Sequence, residues 1–435
     1  MIPLLLLLAL TGLMQAARSF SADTTLAGTE LAFGFLLLAA FLTAKIVNRF
    51  GLPKLTGYII AGVVAGPFVL GLVTKDMGMS LKVVSNTATA ILALEAGSEL
   101  NLKKIRPVMR TLRAMTVFAV IGAMFAIAGA LFLMRPWLPM FDNMTLEQSL
   151  AVCMVIGVAL SAQSPAVMMA MLAETRAEGP LSSVMLASVV VADLVVIVVF
   201  SVATAITGAV IGGGIDFATT ALNVAWEIFG SMAFGIAIGM LIGQFLLSVK
   251  KGASLFALLI CLIVAEIGTR VHLDPLIVLL ASGIWLRNFS RADASDLMHG
   301  FESAQLPVFL VFFALAGSKL DIYALAGSIV VVMIIAVTRA SSFYFGAKLA
   351  CKVTGASDVV KKYAWFGLVP QAGLALALAM VLKNTFPSFG EQAAVILFGV
   401  VGFNEAVAPI ILRAMLMRSG EAGKKQGVDF AASGH

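Results

Sequence analysis

Between Gly28 and Leu416 the sequence is a succession of apolar runs, many near twenty residues long, joined by short polar links. About 20 apolar residues make a helix long enough to cross the ~30 Å hydrocarbon layer of a bilayer. A helix also closes its own backbone hydrogen bonds, which lipid cannot do for it. Composition agrees: 61% of the residues are hydrophobic and 12% charged, against roughly 25% charged in soluble domains. The chain reads as an all-α integral membrane protein.

Thirteen spans are expected: Gly28–Val47, Thr56–Val73, Leu81–Leu100, Ala114–Met134, Gln148–Ala173, Leu181–Gly208, Leu222–Ser248, Ser254–Thr269, Pro275–Leu286, Leu306–Gly317, Leu325–Ala347, Tyr363–Leu382 and Glu391–Leu416. With the first of them starting outside, 21 of the 29 basic residues fall on the cytoplasmic side, 7 fall on the outer side, and Arg339 lies inside a span. That bias sets the N-terminus of the bundle outside and its C-terminus in the cytoplasm. The net charge of +6 therefore marks topology, and no nucleic-acid partner is expected; the surrounding partner is membrane lipid. Cys153, Cys261 and Cys351 stand singly among apolar residues and read as core.

Residues 1–27 stand apart. Met1 to Ala17 is a short apolar run with small residues at its end, and it reads as a signal peptide or a short extra span. Residues 28–416 form the transmembrane domain, and 417–435 a polar cytoplasmic tail.

One carboxylate sits in the middle of the sixth run. Asp193 lies twelve residues in from Leu181, about 18 Å deep at a helical rise of ~1.5 Å per residue. An ionisable group at that depth faces a bundle interior or a watery cavity, and marks an ion or proton pathway unless it is a buried structural acid.

The chain also repeats itself. Ala96-Gly97-Ser98-x-Leu100 ends the third span and Ala316-Gly317-Ser318-x-Leu320 ends the tenth, an offset of seven spans, so the two copies cross in opposite directions. This is the pattern of inverted repeats, here two sets of six helices with one linker helix. The fifth and twelfth spans should then correspond. Both are interrupted, the fifth by Ser161-Ala162-Gln163-Ser164-Pro165 and the twelfth by Gly367-Leu368-Val369-Pro370-Gln371-Ala372-Gly373. Proline removes a backbone donor. Breaks at matching places in two halves point to a substrate site, because the ends of half-helices carry partial charges near the midplane; a plain proline kink is the alternative.

Five stretches together resemble one family: TGYIIAGVVAGPFVLGLV from Thr56, LEAGSEL around Glu95, AEIG from Ala265, VFFALAGSKLD from Val311 and GLVPQAGLALALA from Gly367. They are similar to the monovalent cation:proton antiporter superfamily, which includes bacterial sodium/proton antiporters and the membrane part of potassium efflux systems, over roughly Gly28 to Leu416. The resemblance implies a dimerisation domain, a mobile core domain with two crossing broken helices beside an ion-binding carboxylate, and elevator-like alternating access. By span position that carboxylate is Asp193 and the basic residue of the eleventh span is Arg339. Relatives typically carry Asp-Asp or Asn-Asp where this chain has Ala192-Asp193. A homodimer in a bacterial plasma membrane is implied as well.

Arg339 lies nine residues from Lys348, ~14 Å in at helical rise, a depth near that of Asp193. Facing it, Arg339 is the expected charge partner, the alternative being a structural charge. A nearby positive charge and desolvation act on a carboxylate in opposite senses, which lets one group hold either a proton or a cation. Such a site exchanges one for the other without net charge movement, since an arginine does not deprotonate usefully. Oxygen ligands are expected from Asp193, Ser161, Gln163, Ser164 and unwound carbonyls near Pro165, Pro370 and Gln371, unless those side chains only stabilise the breaks. Glu405 is deeper than Glu95, Glu99 and Glu266 and is a candidate for lining the cytoplasmic passage. His272 and His299 fall in loops and His435 in the tail, outside the bundle.

Two other classes compete. A cation channel or gated potassium efflux path would need a nucleotide-binding domain, which Met417–His435 is too short to hold, so any gating subunit would be a separate regulatory chain. A sodium-coupled organic anion symporter would need more cation ligands and a larger polar cavity. No nucleophile, metal cluster or phosphate loop appears, so neither an enzyme nor a cofactor is expected beyond the transported cation and proton.

Overall fold

The apolar runs fold as helices, and among the described residues no strand occurs. The computed structural model describes residues 2–20, 25–212, 222, 225–249, 252–271, 273–292, 295–320, 323 and 328–424. His272, His435 and the tail from 425 onward lie outside them, and the side chains of Glu99 and His299 are likewise not described.

The first helix, α1 (Ile2–Phe20), packs along α2 (Thr25–Arg49), and its Met14 is buried. Next, α3 (Lys54–Ala65) is shorter than the run Thr56–Val73 suggests. Pro67 pushes the residue before it out of helical geometry, and Gly66 is indeed extended, with φ −67° and ψ 173°. Residues 66–73 turn back instead, Val73 N–H donating to the Ala65 carbonyl at 2.8 Å. Then come α4 (Lys82–Glu99) and α5 (Arg106–Leu133), the latter with a wider π turn at Thr116–Ile121. A capping box opens α6 (Leu146–Leu160): Gln148 N–H donates to Thr145 Oγ1 at 3.3 Å and Thr145 N–H to Gln148 Oε1 at 3.0 Å.

The remaining helices are α7 (Pro165–Thr175), α8 (Pro180–Ile211), α9 (Trp226–Ser248), α10 (Ala253–Arg270) and α11 (Pro275–Phe289). They are followed by α12 (Ser295–Ser318), α13 (Ile329–Thr354), α14 (Asp358–Leu368), α15 (Gly373–Thr385) and α16 (Gly390–Ser419). The expected tenth span, Leu306–Gly317, is the second half of α12, which continues through Pro307. Seven described helices are long and apolar enough to cross a membrane, or eight if α14 and α15 count as one bent span. The chain is a multi-pass membrane protein.

Buried apolar side chains form two clusters. The smaller joins α4, α9, α10 and α11 around Leu94, Cys261 and Val278. The larger runs through α2, α3, α5 to α8 and α12 to α16 and takes in Cys153 and Cys351. All three cysteines are free and buried, as core residues would be.

The repeated Ala-Gly-Ser motif has one job in both copies. A Cβ on Gly97 would overlap the Leu280 carbonyl of α11, and one on Gly317 would overlap the Ile59 carbonyl of α3. Each glycine therefore lets two helices touch backbone to backbone, the packing that small residues permit in membranes. In both copies the next serine bonds back to its own helix, Ser98 Oγ to the Leu94 carbonyl and Ser318 Oγ to the Leu315 carbonyl, each at 2.8 Å. Contacts α4 with α11 and α12 with α3 are each other's counterparts under a shift of seven runs.

Candidate functional site

Two helix interruptions meet at the centre of the larger cluster. The first separates α6 from α7 at residues 161–164. Three of its own side chains bond to nearby backbone. Ser161 Oγ donates to the Val158 carbonyl at 2.7 Å, Gln163 Nε2 donates to the Ser161 carbonyl, and Ser164 Oγ accepts from Val167 N–H at 3.2 Å. Pro165 occupies the first position of α7, where a missing N–H costs nothing.

The second interruption covers residues 369–372, Pro370 among them, and bends α14 against α15 by 41°. It has no side-chain cap of its own at Ala372. Its Gln371 reaches across to the first break, where Nε2 donates to the Leu160 carbonyl at 2.8 Å, and Asn404 Nδ2 of α16 donates to Gln371 Oε1 at 2.6 Å. The break is narrower than the sequence suggests, because Gly367 and Leu368 still belong to a 3₁₀ turn and Gly373 opens α15.

Arg339 of α13 joins the two. It is 1% exposed, and its guanidinium donates to Leu160 (2.9 Å) and Ala162 (2.8 Å) at the first break and to Val369 (2.5 Å) and Leu368 (3.1 Å) at the second. The Phe343 ring lies beneath it at 4.6 Å. Leu160 and Leu368 end their helices, and a helix C-terminus carries up to about half a negative charge. One buried cation balances two such ends. The expectation that Arg339 faces Asp193 is therefore corrected: its hydrogen bonds go to four carbonyls, and it makes no ion pair with Asp193. A depth along a helix fixes the level of a side chain and not the side it points to.

Asp193, on α8, lies on the opposite side of the crossing. Its Oδ1 is buried without a partner. Gln163 Oε1 is also buried and without a partner. Both residues line one cavity of ≈ 60 Å³, together with Thr89, Ser164, Pro165 and Gly373. The N-terminal ends of α7 and α15 thus open onto the space that holds the carboxylate, and their partial positive charges favour an anion there. The crossing is polarised: carbonyl ends at Arg339, amide ends at Asp193. A cavity with two oxygen acceptors and no donor for either suits a proton or a small cation.

Other expected residues fall elsewhere. Glu405 is 1% exposed in α16, does not line this cavity, and has no partner for either carboxylate oxygen. Glu95 is buried in α4, whereas Glu266 pairs with Arg270 at 2.8 Å on the surface. Sequence reasoning missed three residues. Asn404 supports the second break. Asp274 caps α11, accepting Leu276 N–H at 2.7 Å. Glu421 caps α8, accepting Leu181 and Ser182 N–H at 2.8 Å each. Polar residues in apolar or terminal stretches were the available signal for all three.

The sequence pattern of the family described as sodium/hydrogen exchanger, transmembrane, matches residues 36–418. The chain belongs to the sodium/hydrogen exchanger family. Within that family of transporters it is 30% identical over 209 residues to the putative cation/proton antiporter YbaL of Escherichia coli K12. That match covers 48% of this chain and 35% of the relative, so the chain spans about a third of the length of this curated relative. Two structures of the sodium proton antiporter MjNhaP1 from Methanocaldococcus jannaschii share the fold. The one at pH 8 has a TM-score of 0.63 at 16% identity, covering 92% of this chain and 100% of the other. The electron-microscopy structure has a TM-score of 0.69 at 15% identity, covering 89% and 96%.

Proposed function

We propose that this exchanger-family protein trades a monovalent cation, Na+ or K+, for a proton across the membrane by alternating access around Asp193. The observation that carries the reading is the pair of donor-free acceptors, Asp193 Oδ1 and Gln163 Oε1, lining one cavity at the amide ends of two half-helices. A cation coordinated there, or a proton on the carboxylate, neutralises the same single charge. The two cannot be held together, so arrival of one releases the other. Both loaded forms carry equal charge, and the exchange is one for one and electroneutral. Arg339 adds no second proton, because it stays charged and its donors are committed to carbonyls.

The layout is read as thirteen helices in two inverted sets of six about a linker helix, supported by the matched Gly97 and Gly317 contacts. Residues 28–416 are the exchanging unit, a homodimer in a bacterial inner membrane with its C-terminus in the cytoplasm. A preformed pH gradient in everted vesicles tests the function. Sodium or potassium salt should collapse the gradient with wild type and leave it intact with Asp193→Asn. Silence of wild type with both salts, or a fully active Asp193→Asn, defeats the reading.

A further inference from the structure

Glu405 is the sixteenth of the thirty residues of α16. It is buried, and both carboxylate oxygens lack a hydrogen-bond partner. One turn on stands Pro409, which has no N–H to give the Glu405 carbonyl and whose ring crowds that oxygen, so the helix is least constrained here. One residue before it, Asn404 begins a chain of two hydrogen bonds through Gln371 to the Leu160 carbonyl, from α16 to both breaks.

Charged groups offer Glu405 little compensation. The helices packed on α16 are α3, α6, α7, α13, α14 and α15. Their charges sit in outer turns: Lys54, Glu147, Glu174, Lys348 and Lys352, the turn from Asp358 to Lys362, and Lys383. Arg339 alone is central, and its hydrogen bonds go to carbonyls. On α16 itself, Glu391, Arg413 and Arg418 are likewise near the ends. Lys319, just past α12, is the charge that acts on Glu405 from outside its helix. An ionised carboxylate without donors in such a place is strongly disfavoured. The neutral acid fills the same space at the cost of an unmade hydrogen bond.

We propose that Glu405 is a second proton-binding site, distinct from the transport carboxylate and not carried across, whose protonated form seats α16 against the helix crossing. Loss of that proton places a charge where nothing receives it. Turning at the Pro409 weak point then pulls Asn404 from Gln371 and loosens the second break. Glu405 acts as a positioning residue. Its effect on transport rests on the exchange reading above, whereas the site itself does not.

Infrared spectroscopy of the full-length protein in lipid reads the site directly. Wild type should show a protonated-carboxyl band that Glu405→Gln loses and Asp193→Asn keeps. In proteoliposomes, the alkaline fall of exchange should move up by about one pH unit or more in Glu405→Gln, which cannot ionise. A third reading needs no variant: the backbone amides of Val369, Gln371 and Ala372 in wild type, corrected for the intrinsic pH dependence of exchange, should lose protection as the pH is raised. A Glu405→Gln spectrum that loses no band, an unchanged pH profile, or constant protection overturns the proposal. If Asp193→Asn still exchanges ions, the transport reading fails, and the infrared band still decides Glu405.

Discussion

The two helix breaks do the same geometric work by different means. The first, at residues 161–164, carries Ser161, Gln163 and Ser164, each bonded to backbone within three residues of itself. The second, at residues 369–372, has a proline and no cap; its Gln371 reaches the Leu160 carbonyl of the other break and is itself held by Asn404 of α16. Both breaks take donors from Arg339; the first adds bonds within its own turn, whereas the second adds bonds that run to α6 and α16. The break with the local bonds is also the one whose Gln163 and Ser164 line the cavity with Asp193.

Removing the shared clamp tests that contrast most severely. Arg339→Ala removes a donor from four buried carbonyls, of which Leu160 alone keeps another, from Gln371, and should cost about 3–5 kcal/mol, in line with breaking a buried charge from its partners. Thermal unfolding in detergent measures it, and Arg339→Lys should recover only part, because an ammonium cannot reach four carbonyls in a planar fork. A melting temperature equal to wild type would mean the breaks hold themselves.

Next in size come the bonds of Gln371 and Asn404. Gln371→Ala or Asn404→Ala should cost about 1–3 kcal/mol and raise hydrogen exchange at residues 369–372 more than at 161–164. The reverse distribution would break the comparison. Ser164→Ala removes a cap and should cost about 1 kcal/mol, confined to the start of α7. Ser161→Ala, which loses one bond to the Val158 carbonyl, should be the mildest at about 0.5–1.5 kcal/mol; hydrogen exchange at residues 161–164 follows both.

Much of this was legible in the chain because lipid makes hydropathy nearly decisive. The apolar runs, the place of Asp193 inside a long helix and both interruptions come from counting residues. The partners of Arg339 do not, since a position along a helix gives depth but not direction, and carbonyl acceptors leave no trace in side-chain identity. Thr56–Val73 reads too long for the same kind of reason: hydropathy continues through Gly66-Pro67 although the backbone cannot. Glu421 lies in a stretch read as a polar tail, yet it caps the helix that bears Asp193. Contacts between residues 240 positions apart carry no local periodicity.

The central claim is that one carboxylate holds either a proton or a cation, and proton release on cation binding tests it most directly. Sodium or potassium chloride would be added to weakly buffered, detergent-solubilised protein, with Asp193→Asn in parallel. The account predicts that at least one of the two cations releases about one proton per chain from wild type, as expected for a single shared site, and that neither releases any from the variant. Equal release from both proteins, or none from wild type while ions still exchange in vesicles, would contradict it.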